Sequence, residues 1–173
     1  QTDSEYAFCW LMQELAKSHA ALPSVHELSL TLQELVPQIS AHGTFNFLLS
    51  NGEAMWAHAS TRLHHVVRAY PFGEATLADE DWHIDFAQHT TPDDRVAVVV
   101  TAPLTEDEAW TAFKPFELKV FAGGQLIAEA DLSAARAAVI AALPETLREE
   151  IEATQARIQA QLAAADQRCG RQP

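Results

Sequence analysis

The sequence is poor in basic residues, cysteine and long apolar runs. Its 173 residues carry 11 Lys and Arg against 24 Asp and Glu, a formal net charge of −13. This balance argues against nucleic acids and anionic membranes as partners, since both require a basic surface. No apolar run approaches the length that spans a bilayer, and no basic-then-apolar leader opens the sequence. We therefore expect a cytoplasmic protein.

Cysteine is equally sparse. Cys9 and Cys169 are the two in the chain, and they lie near opposite ends with no CxxC spacing. This arrangement indicates neither a disulfide framework nor a zinc site. We expect Cys9 to be a small buried hydrophobe in a helix, and Cys169 to lie in a frayed tail from Gln167 to Pro173.

The first elements that the sequence predicts are a pair of helices. Helical spacing of apolar residues predicts one helix from Ser4 to about Ala21, and Pro23 separates it from the next. Ser24 and Glu27 form a capping-box pattern that predicts the start of a second helix, which ends near Gly43. The predicted core-facing residues are Phe8, Leu11, Met12 and Leu15 in the first helix and Val25, Leu28, Leu32, Leu35, Val36 and Ile39 in the second.

The middle of the chain has the pattern of strands. Asn51-Gly52 predicts a hairpin with a type I′ turn, and Gly123-Gly124 predicts a second hairpin. The predicted strands are Thr44 to Ser50, Glu53 to Ser60, Leu63 to Ala69, Arg95 to Ala102, Glu117 to Ala122 and Gln125 to Glu129. Because Arg95 to Ala102 is almost continuously apolar, we expect it to be a central strand covered on both faces. Thr105 and Glu108 could cap one helical turn carrying Trp110 and Phe113. Helices followed by antiparallel strands indicate an α+β fold.

The chain turns helical again from Asp131. Pro144 to Ala165 predicts a solvated helix docked by a thin apolar stripe of Leu147, Ile151, Ile158 and Leu162. We favour this reading over a dimerising coiled coil, because sustained apolar heptads are absent, although a homo-oligomer stays open. We expect two parts, residues 1–130 and a helical extension at 131–173.

The first residues of the chain are its most informative segment. Thr2 and Glu5 form another capping-box pattern, and Asp3 and Ser4 fall in the first helical turn, where the helix dipole favours a carboxylate. The residues that precede a helix cap normally belong to a strand or a loop. We therefore expect a further segment upstream of Gln1.

Several segments together resemble the class II glutamine amidotransferases, and most of all the small stand-alone group around the bacterial YafJ proteins. The matching stretches run in the family's order over about residues 1 to 128. They are Thr2 to Leu11, Phe45 to Gly52, Ser60 to His64, Pro71 to Leu77, Ile84 to Phe86, Thr90 to Asp94, and Thr101 to Thr105 with Trp110. One departure is Phe116, where the family usually has glycine after Pro115, and it puts the turn before the last hairpin in doubt.

The resemblance implies an N-terminal-nucleophile hydrolase fold, with layers in the order α, β, β, α. It implies hydrolysis of glutamine to glutamate and ammonia through a thioester on an N-terminal cysteine, with no cofactor. Of the family's site residues, the ammonium-binding Asp matches Asp3, and Ser4 could add a weaker hydrogen bond. The nucleophile, the oxyanion donors and a carboxylate-binding Arg would all lie upstream of Gln1. On this interpretation, we expect the isolated chain to be inactive.

Other interpretations stay open. The chain could be a non-catalytic binding or scaffold module of the same fold, or part of a γ-glutamyl amidohydrolase. A metal-dependent hydrolase is a weaker possibility, and its candidate ligands are His58, His64, His65, His83 and His89 with Asp79, Asp81 and Asp85. We favour scattered surface and hydrogen-bonded histidines instead. Asn51-Gly52 is read as a hairpin turn and not as an oxyanion hole, and Thr2 as a cap and not as a nucleophile.

Overall fold

The computed structural model describes residues 3–78, 83–85 and 90–169. These residues form four helices and nine strands. The helices are α1 (Asp3–Ser18), α2 (Val25–Ala41), α3 (Ser133–Ala141) and α4 (Glu145–Cys169). The strands are β1 (Phe47–Ser50), β2 (Ala54–Ala59), β3 (His64–Ala69), β4 (Glu74–Thr76), β5 (His83–Asp85), β6 (Arg95–Val100), β7 (Thr111–Ala112), β8 (Glu117–Ala122) and β9 (Gln125–Asp131).

All strand pairs are antiparallel, as predicted. One sheet has four strands in the order β1-β2-β8-β9, a second has the order β6-β3-β7, and β4 pairs with β5 alone. Two hydrophobic clusters separate the layers. One packs α1 and α2 on the four-stranded sheet, and the other fills the space between that sheet and the three-stranded sheet. The α+β fold class is confirmed, with a helix layer, a sheet and a second sheet in succession.

Local signals placed the second helix correctly. Ser24 caps α2 through the predicted capping box, with its Oγ accepting from Glu27 N (3.3 Å) and Glu27 Oε2 accepting from Ser24 N (2.9 Å). The stripe of α2 is buried against Trp56 of β2, whose Nε1 donates to Ser29 Oγ at 2.8 Å. That bond satisfies a polar atom of a side chain that has no exposed surface.

The predicted face of α1 is partly wrong. Leu11 is buried and Leu15 is half-buried, but Phe8 and Met12 are exposed by 51% and 46%. Cys9 is exposed too, so the prediction of a buried cysteine is also wrong. Within the described residues only a narrow part of α1 meets α2 and the sheet, because α1 lies at the margin of the first cluster.

Both hairpins form, but their turns differ. Gly123 and Gly124 both have positive φ (55° and 70°), as a type I′ turn requires. At the first hairpin Gly52 alone has positive φ (90°), and the loop includes Glu53. The type I′ prediction is wrong there because the Asn51 side chain makes its own turn, its Oδ1 accepting from Glu53 N (3.0 Å) and Ala54 N (2.9 Å).

Two further predictions fail in the same region of the sequence. In the described part of the chain β6 is the edge of its sheet and pairs with β3, and its residues are exposed or half-buried. It is therefore not a central strand covered on both faces. Thr105 and Glu108 do not cap a helical turn. Thr105 instead forms an isolated bridge with Leu77, and Phe113 enters the core directly after β7.

At the C-terminal end, α3 packs against α2, and α4 runs further than predicted, to Cys169. Ile151, Ile158 and Leu162 are half-buried as expected, whereas Leu147 is 42% exposed and lies off the docked face. The frayed tail was predicted to begin at Gln167, but its first three residues are helical, and residues 170–173 lie outside the described part of the chain.

Candidate functional site

Two clefts meet at the start of α1. The first, which we call the α1 cleft, has a volume of about 530 Å³ and lies between α1, the end of α2 and the loop that follows. The second, the β1 cleft, measures about 260 Å³ between α1 and β1. Ser4 lines both. The α1 cleft is lined by Ser4, Tyr6, Ala7, Trp10, Gln38, Ile39, His42, Gly43, Thr44 and Phe45.

The helix ends around the α1 cleft set its electrostatics. α1 begins beside the cleft and α2 ends there at Ala41, so the positive end of one helix dipole and the negative end of the other lie near it. No basic residue of α2 lies in its own last turn, but the charged Arg136 of α3 donates to Ser40 O there. The start of α1 favours a carboxylate or an amide oxygen.

The predicted site residues fall at this junction only in part. Ser4 is exposed and lines both clefts. Asp3 begins α1, but its side chain lies outside the described part of the structure, and so does Thr2 with its predicted cap. The structure therefore places the backbone of the predicted ammonium site beside the clefts and leaves the role of Asp3 a prediction.

Asn46 explains why two of the segments singled out from the sequence belong together. Its Oδ1 accepts from Ser60 N (2.8 Å) and Thr61 N (3.1 Å), and its Nδ2 donates to Thr61 Oγ1 (2.8 Å). Ser60 Oγ in turn donates to Phe45 O at 2.9 Å. These bonds tie the loop that lines both clefts to the end of β2, so the cleft wall rests on the sheet.

A second network fixes the loop after β6. Arg68 holds Glu108 with two bonds of 2.6 Å, from Nε to Oε1 and from Nη2 to Oε2. Thr105 Oγ1 donates to Glu108 Oε2, and Trp110 Nε1 donates to Thr105 Oγ1 at 2.9 Å. The bonds from Arg68 lower the pKa of Glu108, which stays charged. Thr105 and Trp110 therefore have a structural part in locking this loop, where the sequence suggested a helix.

The histidines do not assemble a metal site in the described residues. No group of three or more His, Cys, Asp or Glu side chains there is arranged to hold an ion. His58 and His65 are buried and not on the surface, although His58 Nε2 lies 3.3 Å from Ser60 Oγ, so the expectation of surface and hydrogen-bonded histidines holds only in part. Burial lowers the pKa of both. The side chain of His83, and all of Asp79, Asp81 and His89, lie outside the described residues.

Arg136 is a buried cation that the sequence did not single out. It lies on α3 with 6% of its surface exposed, and its Nε donates to Ser40 O (2.8 Å) at the end of α2. Its guanidinium carbon sits 4.3 Å from the centre of the Phe116 ring. Phe116 has a φ of 62°, a conformation that favours glycine. The positive-φ turn therefore forms even though Phe116 stands where the family usually has glycine, and the Phe116 ring stacks on Arg136.

Comparison with known proteins defines the class. Residues 1–145 match the family model described as class-II glutamine amidotransferases. The chain belongs to this family, as the segments around Asn46 and at the start of α1 suggested. In the described residues, none of the helices is long and apolar enough to cross a membrane.

Particular relatives agree with this assignment. The chain is 43% identical over 128 residues to a Haemophilus influenzae protein named "Putative glutamine amidotransferase", covering 74% of this chain and 44% of that protein. It is 41% identical over 128 residues to the Escherichia coli protein named "Putative glutamine amidotransferase YafJ", covering 73% and 50%. A crystal structure from Pseudomonas aeruginosa, described as a "predicted glutamine amidotransferase", superposes with a TM-score of 0.66 at 37% identity, covering 74% of this chain and 51% of that one. The chain thus spans about half the length of the relatives it matches.

Proposed function

We propose that this chain forms the ammonium-binding side and much of the scaffold of a glutamine-hydrolysing domain. The observation that carries the proposal is the junction of the α1 and β1 clefts at Ser4, next to the residue that begins α1. That junction lies within the residues that match the amidotransferase family. Residues 1–130 would supply this scaffold, and residues 131–173 a helical extension.

In this proposal Asp3 is the counter-charge for the α-ammonium group of glutamine. A carboxylate in the first turn of a helix is held by the helix dipole, so it can be charged and well oriented at once. Ser4 adds a hydroxyl that can donate to or accept from the substrate.

The reacting groups would come from the part of the longer protein that this chain does not span. A cysteine thiolate at the mature N-terminus attacks the carboxamide carbon, and the cysteine's α-amine takes the thiol proton and delivers it to the departing ammonia. Backbone and amide N–H groups stabilise the oxyanion that forms. Water then cleaves the thioester and releases glutamate. The present chain binds and orients the substrate in this scheme.

A comparison of two substrates tests the role of Asp3 in the longer protein. Glutaramic acid has the carboxylate and the amide of glutamine but lacks the α-ammonium group. We expect the unaltered protein to prefer glutamine, and Asp3→Asn to lower kcat/KM for glutamine by about 10- to 100-fold, since a charge-assisted hydrogen bond contributes about 1.5–3 kcal/mol. The same variant should change kcat/KM for glutaramic acid little.

Asp93→Asn removes an exposed carboxylate from a turn outside both clefts and serves as the matched control. If Asp3→Asn lowered kcat/KM equally for both substrates, Asp3 would not bind the ammonium group. The division of labour is tested separately with the 173-residue chain alone. If that chain released glutamate from glutamine at a measurable rate, the assignment of the nucleophile to another segment would fail.

A further inference from the structure

Arg136 stands out because its charge has no acidic partner in the described part of the chain. It is 6% exposed, and in the described residues no carboxylate lies within ion-pair distance of it. Arginine is seldom buried so far unless it is paired, because removing a charge from water costs several kcal/mol. Burial accordingly lowers the pKa of Arg136. The guanidinium stays charged even so.

Its neighbours satisfy only part of its hydrogen-bonding capacity. Nε donates to Ser40 O, and the ring of Phe116 covers one face. With the Gln155 amide oriented so that its oxygen faces the guanidinium, that oxygen accepts from Nη1 (2.9 Å) and Nη2. These partners are neutral, and a guanidinium carries more N–H donors than they use.

Arg136 also lines a small cleft. We call it the Arg136 cleft; it has a volume of about 150 Å³. Its lining residues are Gly43, Thr44, Ser60, Thr61, Pro115, Phe116, Arg136, Gln155, Ile158, Gln159 and Leu162. None of these is acidic, although the chain as a whole carries a net charge of −13. This is room for a few groups the size of a water molecule, each of which occupies about 30 Å³.

A hydroxyl in the same wall adds a donor. Thr61 Oγ1 accepts from Asn46 Nδ2, which leaves its own hydrogen available to donate. A buried cation, a free hydroxyl donor and the lack of carboxylates together favour a ligand with several acceptor oxygens. Carboxylate and phosphate groups match the planar fork of a guanidinium through paired N–H···O bonds.

We propose that the Arg136 cleft binds a small oxyanion, a carboxylate or a phosphate group, between the guanidinium of Arg136 and the Thr61 hydroxyl. The anion supplies the negative charge that the protein does not place there. The cleft uses α4 for one wall and shares Gly43 and Thr44 with the α1 cleft. Ser4 does not line the Arg136 cleft, so this is a second ligand site beside the proposed ammonium site.

Nuclear magnetic resonance of the arginine side chains in the 173-residue chain tests this. Sodium acetate and sodium phosphate are titrated separately, with sodium chloride holding the ionic strength constant. We expect the Arg136 Nε–H signal to shift and saturate with at least one anion below about 100 mM, where a binding free energy of only about −1.4 kcal/mol is detectable. Saturation by acetate alone assigns a carboxylate ligand, and saturation by phosphate alone assigns a phosphate.

A pair of single-charge variants keeps the test independent of folding. Gln159→Glu places a carboxylate at the rim of the cleft and leaves every bond of Arg136 in place, so it should weaken anion binding about tenfold. Gln161→Glu adds the same charge on an exposed position of α4 outside the cleft and should leave the affinity nearly unchanged. The proposal is overturned if neither anion saturates the signal, or if both variants lose affinity equally.

Discussion

His58 offers a quantitative test of how the sandwich handles a buried titratable group. The side chain has no exposed surface, and its ring lies 5.6 Å from the ring of Phe47. Nε2 is 3.3 Å from Ser60 Oγ, and Nδ1 has no hydrogen-bond partner among the residues that the structure describes. Burial lowers the pKa of His58 from 6.5 to about 4. The backbone of Glu117 acts in the opposite direction, and the positive charge of the nearby Arg136 lowers the pKa further.

The sign of the effect follows from proton binding. Between about pH 6.5 and pH 4 the unfolded chain carries a proton on this imidazole and the folded chain does not. The free energy of unfolding therefore rises with pH over this interval. The neutral histidine's contribution is complete above about pH 6.5 and is lost as the pH falls towards 4. At about 1.4 kcal/mol per pH unit, the whole interval amounts to about 3 kcal/mol.

Urea unfolding of the 173-residue chain at several pH values between 7.5 and 4 measures this. Other acidic groups also titrate there, so the informative quantity is the difference between the unaltered chain and His58→Gln. We expect that difference to change by about 3 kcal/mol across the interval. His26→Gln, which removes a histidine from an exposed position of α2, is the matched control. If the free energies of unfolding of the unaltered chain and of His58→Gln changed in parallel with pH, the reasoning would be refuted. A titration midpoint near pH 6.5 for the His58 ring signal would refute it too.

Two backbone positions give further predictions, both measured as changes in the free energy of unfolding. Phe116→Gly should be more stable than Phe116→Ala by about 1 kcal/mol, because both remove the ring but only glycine adopts a φ of 62° without strain. Equal free energies of unfolding for the alanine and glycine variants would show that the backbone at position 116 is not strained. Gly124→Ala should cost at least about 2 kcal/mol more than Gly123→Ala, since a Cβ at Gly124 would lie 2.3 Å from Arg95 O while one at Gly123 meets nothing within 4 Å. Equal losses at the two glycines would show that the close approach to β6 is relieved at little cost.

Short-range signals predicted the elements well where the interaction they describe is itself short-range. The capping box of Ser24 and Glu27 and the two glycines of the second hairpin are examples, because both ends of each interaction lie within a few residues. The first hairpin shows the limit of such a rule. Its Asn51 side chain competes for the same backbone N–H groups and forms a different turn.

The location of the candidate site stays a prediction, and the sequence indicated nothing of its shape. The pattern at Thr2, Asp3, Ser4 and Glu5, with the collinear motifs, pointed to the start of α1, and the structure puts two clefts there. The shape of the clefts depends on the positions of the end of α2 and of the loop at Asn46. Those positions are fixed by contacts with residues about fifteen or more positions away, such as Ser60 and Thr61. No local pattern reports them.

The sequence by itself determined the helix pair, the hairpins, the antiparallel α+β fold and membership of the amidotransferase family, because periodicity, caps, turns and collinear motifs are all written in local order. Only the tertiary structure decided which faces are covered. It exposed Cys9, placed β6 at a sheet edge, buried His58, and brought Arg136 from α3 to the end of α2 and the ring of Phe116. Burial and the pairing of charges depend on packing between distant segments, and so does the oxyanion site that we propose.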